Sequence, residues 1–69
     1  LIYYSGTALG DGIDCVYDNS GTLTINNCTI HNVQNGIVAK GGISNINIRD
    51  NIIYDYTYKN LEIILMNDP

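Results

Sequence analysis

The residues most able to do chemistry are three acids near the start of the chain, Asp11, Asp14 and Asp18. Two carboxyl groups on one strand face could serve as general acid and general base, as glycoside hydrolysis requires. A structural role is the stronger interpretation, because Asp11-Gly12 has the composition of a turn and Asp14 stands between two inward positions, facing solvent. We therefore expect no catalytic residues, with Asp11 and Asp14 as the nearest candidates.

The thiols and the imidazole are few and scattered. His31, Cys15 and Cys28 do not form the close pairs of a zinc site, so no metal site is expected. The two cysteines fall at different inward positions. We expect two free thiols that behave as small apolar residues, with a disulfide across the interior as the alternative.

Tyrosines and the one arginine supply the candidate binding surface. Tyr54 and Tyr58 are expected to lie outward or at a corner, and Arg49 is also expected to face solvent. Flat amphipathic rings on a weakly charged surface suit the stacking of sugar rings or contacts with a protein. They equally suit a flank that has no partner.

The composition limits the chain to one small domain with few basic residues. It has 69 residues, a formal net charge of −4, and three basic against seven acidic side chains, which is opposite to a nucleic-acid-binding protein. The longest apolar run, residues 63–66, is far below the ~20 residues of a membrane span, and the start lacks a signal-peptide pattern. Leu1 in place of Met indicates processing, excision from a longer chain, or a partial chain.

An internal repeat organises the sequence. Residues 23–33 align with residues 46–56 at an offset of 23, with apolar residues in the same columns and Cys28 over Asn51. Gly-Ile steps also recur, at residues 12–13 and 36–37. The short alternating apolar stretches predict strands of about three to five residues, with Asn, Asp and Gly at the corners between them.

Short strands joined by short corners predict a coil in which each turn pairs in parallel with the next, a β-solenoid. The repeat gives a single domain of about three uncapped coils of 23–24 residues, at roughly 1–22, 23–45 and 46–69. A structural ladder of Ser5, Cys28 and Asn51 is expected at one inward corner. The predicted inward columns are Ile2/Ile25/Ile48, Thr7/Ile30/Ile53, Ile13/Ile37/Leu61 and Cys15/Ala39/Ile63.

The pattern Ile-x-Ile-x-x-Asn-x-Ile at residues 46–53, with a Gly-Ile step as at residues 36–37, resembles the repeat of pectin-lyase-like proteins. The resemblance is fullest over residues 21–65 and looser over 1–20, and it implies an all-β, right-handed parallel β-helix. That fold hosts polysaccharide lyases, glycoside hydrolases, phage tailspikes and surface proteins, so it does not define an activity. Of the family's hydrolase pattern, only residues 11–14 bear a likeness, and the Asp-Asp, Gly-His and Arg-x-Lys steps are absent.

A polysaccharide lyase of this family would need calcium held by several acids on one face, and an Arg as proton acceptor. Asp14 and Glu62 share an outward column, but Val38 stands between them. No cofactor is therefore expected, with Ca²⁺ only if the chain belongs to such a lyase.

A leucine-rich repeat is the main alternative fold, and other β folds remain behind it. Its spacing is met by Ile43, Ile46, Ile48, Asn51 and Ile53. Against it, Ser20 occupies the first of these positions in the preceding copy, and the return segments carry Gly-Ile steps instead of a helix.

The expected function is a non-catalytic extracellular or cell-surface β-helix module with a structural, assembly or carbohydrate-contacting role. Its partners would be neighbouring β-helix coils, in the same longer chain or in identical subunits stacked end to end, because uncovered strand edges and apolar ends invite pairing. Polysaccharide is a further candidate partner. The alternatives are a fragment of a polysaccharide lyase or glycoside hydrolase whose active site lies elsewhere and, third, a leucine-rich-repeat solenoid that binds proteins.

Overall fold

The computed structural model describes residues 1–17, 21–43 and 45–65, and their regular structure is all β-strand. These residues are rich in Ile, Val, Tyr and Thr, whose branched or aromatic side chains suit a pleated sheet. The predicted all-β class is therefore confirmed for this part of the chain. The strands are β1 (Ile2–Tyr3), β2 (Asp11–Tyr17), β3 (Thr22–Asn26), β4 (Thr29–Gly41), β5 (Asn45–Arg49) and β6 (Ile52–Leu65).

The strands form two sheets, and every strand pairing among the described residues is parallel. The smaller sheet joins β3 to β5, and in the larger sheet β4 pairs with β1, β2 and β6. Ile30 pairs with both Ile2 and Ile53. Ile37 likewise pairs with both Ile13 in β2 and Leu61 in β6. A strand has two edges, so β1 and β2 lie along one edge of β4 and β6 lies along the other.

Most of the predicted columns occur in the strand register. Ile25 pairs with Ile48 and Ile30 with Ile53, and the columns Ile13/Ile37/Leu61 and Cys15/Ala39/Ile63 are both present. The spacing changes within β4 and β6, because Val33 pairs with Tyr56 whereas Asn35 pairs with Lys59. This one-residue irregularity is where the offset of 23 becomes 24.

The first member of two predicted columns was wrong. Ile2 pairs with Ile30, and not with Ile25, so Thr7 does not occupy the Ile30 column. Beyond β1 the Tyr4 amide donates to the Asn32 carbonyl, and Asp11 then pairs with Asn35. The chain needs seven positions from Tyr4 to Asp11 but only three from Asn32 to Asn35, so the first repeat holds four extra residues that the offset of 23 did not reveal.

Two corners are built from residues in the left-handed region of backbone space. Asn27 and Asp50 have φ values of 56° and 57°, and Asn32 and Asp55 have φ values of 51° and 53°. Each pair is separated by 23 residues, so the same corner recurs in successive repeats. Asn and Asp tolerate this conformation better than other residues that carry a Cβ, because their short polar side chains bond locally.

The Asn32 and Asp55 corners lie inside β4 and β6, and pairing continues through them. As a result β4 and β6 have 13 and 14 residues, longer than the strands predicted from the sequence. A straight strand would turn residues three apart to opposite faces. Here the left-handed residue between them lets both Ile30 and Val33 reach the interior, where each is fully buried.

The core lies between the two sheets. Its buried cluster consists of Ile25 from β3 with Ile30, Val33 and Ile37 from β4. The partly buried apolar side chains packed against this cluster come from the other five strands or lie just outside a strand: Ile2, Tyr4, Ile13, Leu23, Cys28, Ile48 and Ile53. The middle strand thus carries most of the hydrophobic stabilisation, and the flanking strands cover it.

Candidate functional site

The predicted acid pair begins the second strand of the larger sheet. Asp11 is the first residue of β2 and not part of a preceding turn, and it pairs with Asn35 across the sheet. The Asn35 Nδ2 atom donates a hydrogen bond of 2.7 Å to Asp11 Oδ1, while the buried Asn35 Oδ1 has no hydrogen-bond partner among the described residues. Asp14 lies three positions along the strand, exposed beside Val38, and Asp18 lies outside the described residues.

The two carboxyl groups interact directly. The pKa of Asp14 is raised, first by the hydrogen bond it shares with the Asp11 side chain and then by desolvation and by the charges of Asp11 and Glu62; the charge of Lys40 opposes the shift. The Asp11 carboxylate also accepts the hydrogen bond from Asn35, whereas glycosidases need two carboxyl groups that flank the glycosidic bond and are free to act on it.

A salt bridge lies within β6, on the same face of the larger sheet. Lys59 Nζ donates to Glu62 Oε2, and this contact raises the pKa of Lys59. Val38 separates Glu62 from Asp14, as the sequence indicated. Among residues 1–17, 21–43 and 45–65 no group of three His, Cys, Asp or Glu side chains could hold a metal ion.

A column of three aromatic rings crosses the larger sheet. Tyr3, His31 and Tyr54 are paired side by side on β1, β4 and β6. The ring centroids of Tyr3 and His31 are 5.0 Å apart with planes 9° from parallel, and those of His31 and Tyr54 are 4.8 Å apart with planes 5° from parallel. The spacing of neighbouring strands, ~4.8 Å, is close to the distance of stacked rings, so the backbone register itself aligns them.

The other predicted binding residues are dispersed over the surface. Tyr58 is 68% exposed on β6, and the Lys59 ammonium lies 5.2 Å from its ring centroid. Arg49 is exposed at the end of β5, in the smaller sheet, and pairs with Asn26. Tyr54 and Tyr58 thus share a strand, but Arg49 belongs to the other sheet. Sequence reasoning missed His31, whose 23-residue distance from Tyr54 is the signal that could have found it.

The predicted polar ladder joins two of its three members. Asn51 Oδ1 accepts a hydrogen bond of 2.8 Å from the Cys28 amide, and Asn51 Nδ2 donates one of 2.9 Å to the Ile25 carbonyl. Ser5 does not stand beside Cys28, because the register that pairs Ile2 with Ile30 carries it past this column. Asn51 therefore links the end of β3 to the start of β4.

Both cysteines have free thiols. Cys15 and Cys28 are half-buried, and Cys28 Sγ lies 3.3 Å from the Asn26 carbonyl oxygen, to which it donates. Cys15 stands in the column of Ala39 and Ile63. Cys15 thus lies in an apolar column, whereas the Cys28 thiol packs against the core and also bonds to a backbone carbonyl.

The comparisons with known proteins add no relative. No family model, no curated protein and no solved structure matches the chain. Within the described residues no helix has the length and hydropathy needed to cross a membrane.

Proposed function

We propose that this chain is a segment of a right-handed parallel β-helix, of the pectin-lyase-like kind, and that its role is structural. Three features support the proposal: every strand pairing among the described residues is parallel, like residues pair at offsets of 23 and 24, and the same corners recur. Connections between parallel strands of one sheet are right-handed in ~98% of cases, which supports the hand.

The structural role rests on one observation, the difference in solvent exposure between paired residues of β4 and β6. Ile37 and Ala39 are fully buried, whereas their partners in β6, Leu61 and Ile63, are 44% and 42% exposed. The same column is thus interior at one strand and open at the next. Apolar side chains in these columns are stabilised when a further parallel strand covers them.

The geometry supports catalysis less well. The Asp11 carboxylate is bonded to Asn35 and raises the pKa of Asp14, and a fragment of a polysaccharide lyase or glycoside hydrolase would need acids from beyond these strands. A leucine-rich repeat finds no support, because the described residues contain strands and no helix. An extracellular or cell-surface setting, the usual place of such modules, belongs to this proposal.

The test is the association of the chain in solution, measured by light scattering after size-exclusion chromatography over a wide range of concentrations. We expect species heavier than 7.6 kDa that grow with concentration. Ile63→Lys, in the open column, should abolish association, and Thr24→Lys, on the exposed face of β3, should not. A single 7.6 kDa species with a cooperative, concentration-independent unfolding transition would contradict the structural role.

Carbohydrate contact is a second candidate, favoured by the exposure of the β6 tyrosines. Tyr58 is 68% exposed and Tyr54 is 45% exposed, so both offer ring surface to a sugar. Affinity electrophoresis through gels that contain an acidic or a neutral polysaccharide should show retardation that Tyr58→Ala reduces. Equal mobility with and without polysaccharide would reject this role.

A further inference from the structure

We infer that the strand which covers β6 comes from a second copy of this chain, with β1 and β2 of one copy added in parallel to the free edge of β6 of the next. This inference rests on the proposed structural function and names the partner for it. We call the contact the head-to-tail junction. It follows from two properties of the larger sheet, the direction of its strands and its columns of side chains, and the charged residues in those columns supply its test.

The direction of the strands permits this contact by translation alone. β1 and β2 occupy one edge of β4, and β6 occupies the opposite edge. Because these strands are all parallel, a second copy shifted along the stacking direction presents its β1 and β2 to β6 in the orientation in which they already meet β4. Each copy then contributes different surfaces at its two ends, so the contact is heterologous and does not close.

The columns of side chains match in this register. The register of β4 with its two neighbours sets Ile2 of the second copy on Ile53, Ile13 on Leu61 and Cys15 on Ile63. These are apolar side chains on apolar side chains, and the open columns of β6 become interior. The junction therefore removes the exposure that distinguishes β6 from β4.

The aromatic column is continued by the same shift. Tyr3 of the second copy arrives beside Tyr54, whose ring is stacked on His31 on its other side. Tyr3 and Tyr54 are 53% and 45% exposed in one copy, so each has free ring surface. The junction converts two terminal rings into neighbours within one stack, at the strand spacing of ~4.8 Å.

The junction also brings together one pair of opposite charges and one pair of like charges. Asp11 of the second copy lies beside Lys59, because both belong to the column of Asn35. Asp14 of the second copy lies beside Glu62, because both belong to the column of Val38. Lys59 already binds Glu62, so in the junction its ammonium is shared between Glu62 and Asp11 of the second copy. Opposite charges at a junction fix register and exclude wrong partners more than they add affinity.

The experiment uses charge reversal at the two ends of the molecule. Lys59→Asp places acid against acid at the junction, and Asp11→Lys places base against base, so each variant alone should associate roughly tenfold more weakly than the unmodified chain. In an equimolar mixture each variant meets a complementary end of the other, and association should return. Arg49→Asp is the matched control, because the residue in its column of the smaller sheet is the uncharged Asn26, so the same charge change should alter association far less.

Sedimentation velocity, with circular dichroism to verify that each variant is folded, separates the outcomes. Rescue by mixing cannot arise from two unfolded chains, so it supports the junction directly. A wild-type chain that associates while the mixture does not recover overturns the junction and leaves the structural function standing. A closed dimer of fixed mass also overturns it, because that result indicates pairing of β6 with β6. A chain that stays single at all concentrations overturns both proposals.

Discussion

Replacing Asn51 by Ala should destabilise the fold by breaking the link between two strands. The Asn51 side chain accepts from the Cys28 amide at 2.8 Å and donates to the Ile25 carbonyl at 2.9 Å. Hydrogen bonds of this kind contribute ~0.5–1.5 kcal/mol each, and a partly buried group left without a partner costs more, so we expect a loss of ~1–3 kcal/mol. A domain of this size has only ~3–5 kcal/mol in total, so the melting temperature should fall by roughly 5–20 °C.

Urea unfolding at one fixed protein concentration measures this change, because association shifts apparent stability. Asn26→Ala is the control: its side chain is exposed and makes no hydrogen bond within the described residues, so the variant should stay within ~0.5 kcal/mol of the parent.

Asn51→Asp adds a pH signature. It keeps an oxygen for the Cys28 amide but sets a carboxylate against the Ile25 carbonyl, which raises its folded pKa. The variant should therefore regain stability as pH falls through that raised pKa, because the protonated acid can donate. Equal stability of Asn51→Ala and the parent, or no pH dependence in Asn51→Asp, would refute the bridging role.

Three further predictions concern the core, a close contact and the acid pair. Ile30→Ala, at a fully buried position, should cost ~2–5 kcal/mol in urea unfolding, while Ile64→Ala, at a position 49% exposed, should cost far less. Gly36→Ala should also destabilise the chain, because a Cβ there would lie 2.6 Å from Ile53 Cγ2 and still nearer a backbone carbonyl; a stability equal to the parent's would show that the strands can move apart. Asp14→Asn should raise stability at neutral pH: the folded pKa of Asp14 lies above its usual value of 3.8, so the penalty is present above that raised pKa and disappears as pH falls below 3.8, where the two melting curves should converge.

The strand registers could be predicted where similar residues recur at a fixed offset. Ile25 with Ile48 and Ile30 with Ile53 follow from apolar residues spaced by 23, because a shift of one residue would turn an apolar side chain out of the core. The offset of 23 does not hold for Ile2, whose partner is 28 residues away. Sequence offsets assume a constant repeat length, and the residues between Tyr4 and Asp11 break it.

A side chain from the next repeat explains how that longer segment is accommodated. Asn32 Nδ2 donates to the Tyr4 carbonyl and, at 3.0 Å, to the Gly6 carbonyl, so one amide holds the segment at two points. The Gln34 amide donates a hydrogen bond of 2.7 Å to the Gly10 carbonyl, which restores the strand register just before β2 begins. Such contacts depend on the folded backbone, and a pattern of residue types does not reveal them.

The candidate site could be predicted only in part for a related reason. Tyr54 was identified as a surface residue, but the column that it shares with His31 and Tyr3 requires the true register of β1. Asp11 and Asp14 were identified as neighbours in sequence, and the effect of Asp11 on the pKa of Asp14 depends on how β2 enters the sheet. Residue types thus indicated the surface, and the register decided which residues meet there.

The left-handed residue Asn32 determines which side chain of β4 is buried and which one joins the aromatic column. Because this residue reverses the alternation of β4, Val33 is buried while His31, two positions earlier, stacks between two tyrosines outside. Asp55 repeats the corner in β6, which places Tyr54 on the stack and Tyr56 in the column of Val33. A residue that resists this conformation would therefore shift the core column and the aromatic column together. The aromatic column that the head-to-tail junction extends is thus fixed by the same backbone geometry that fills the core.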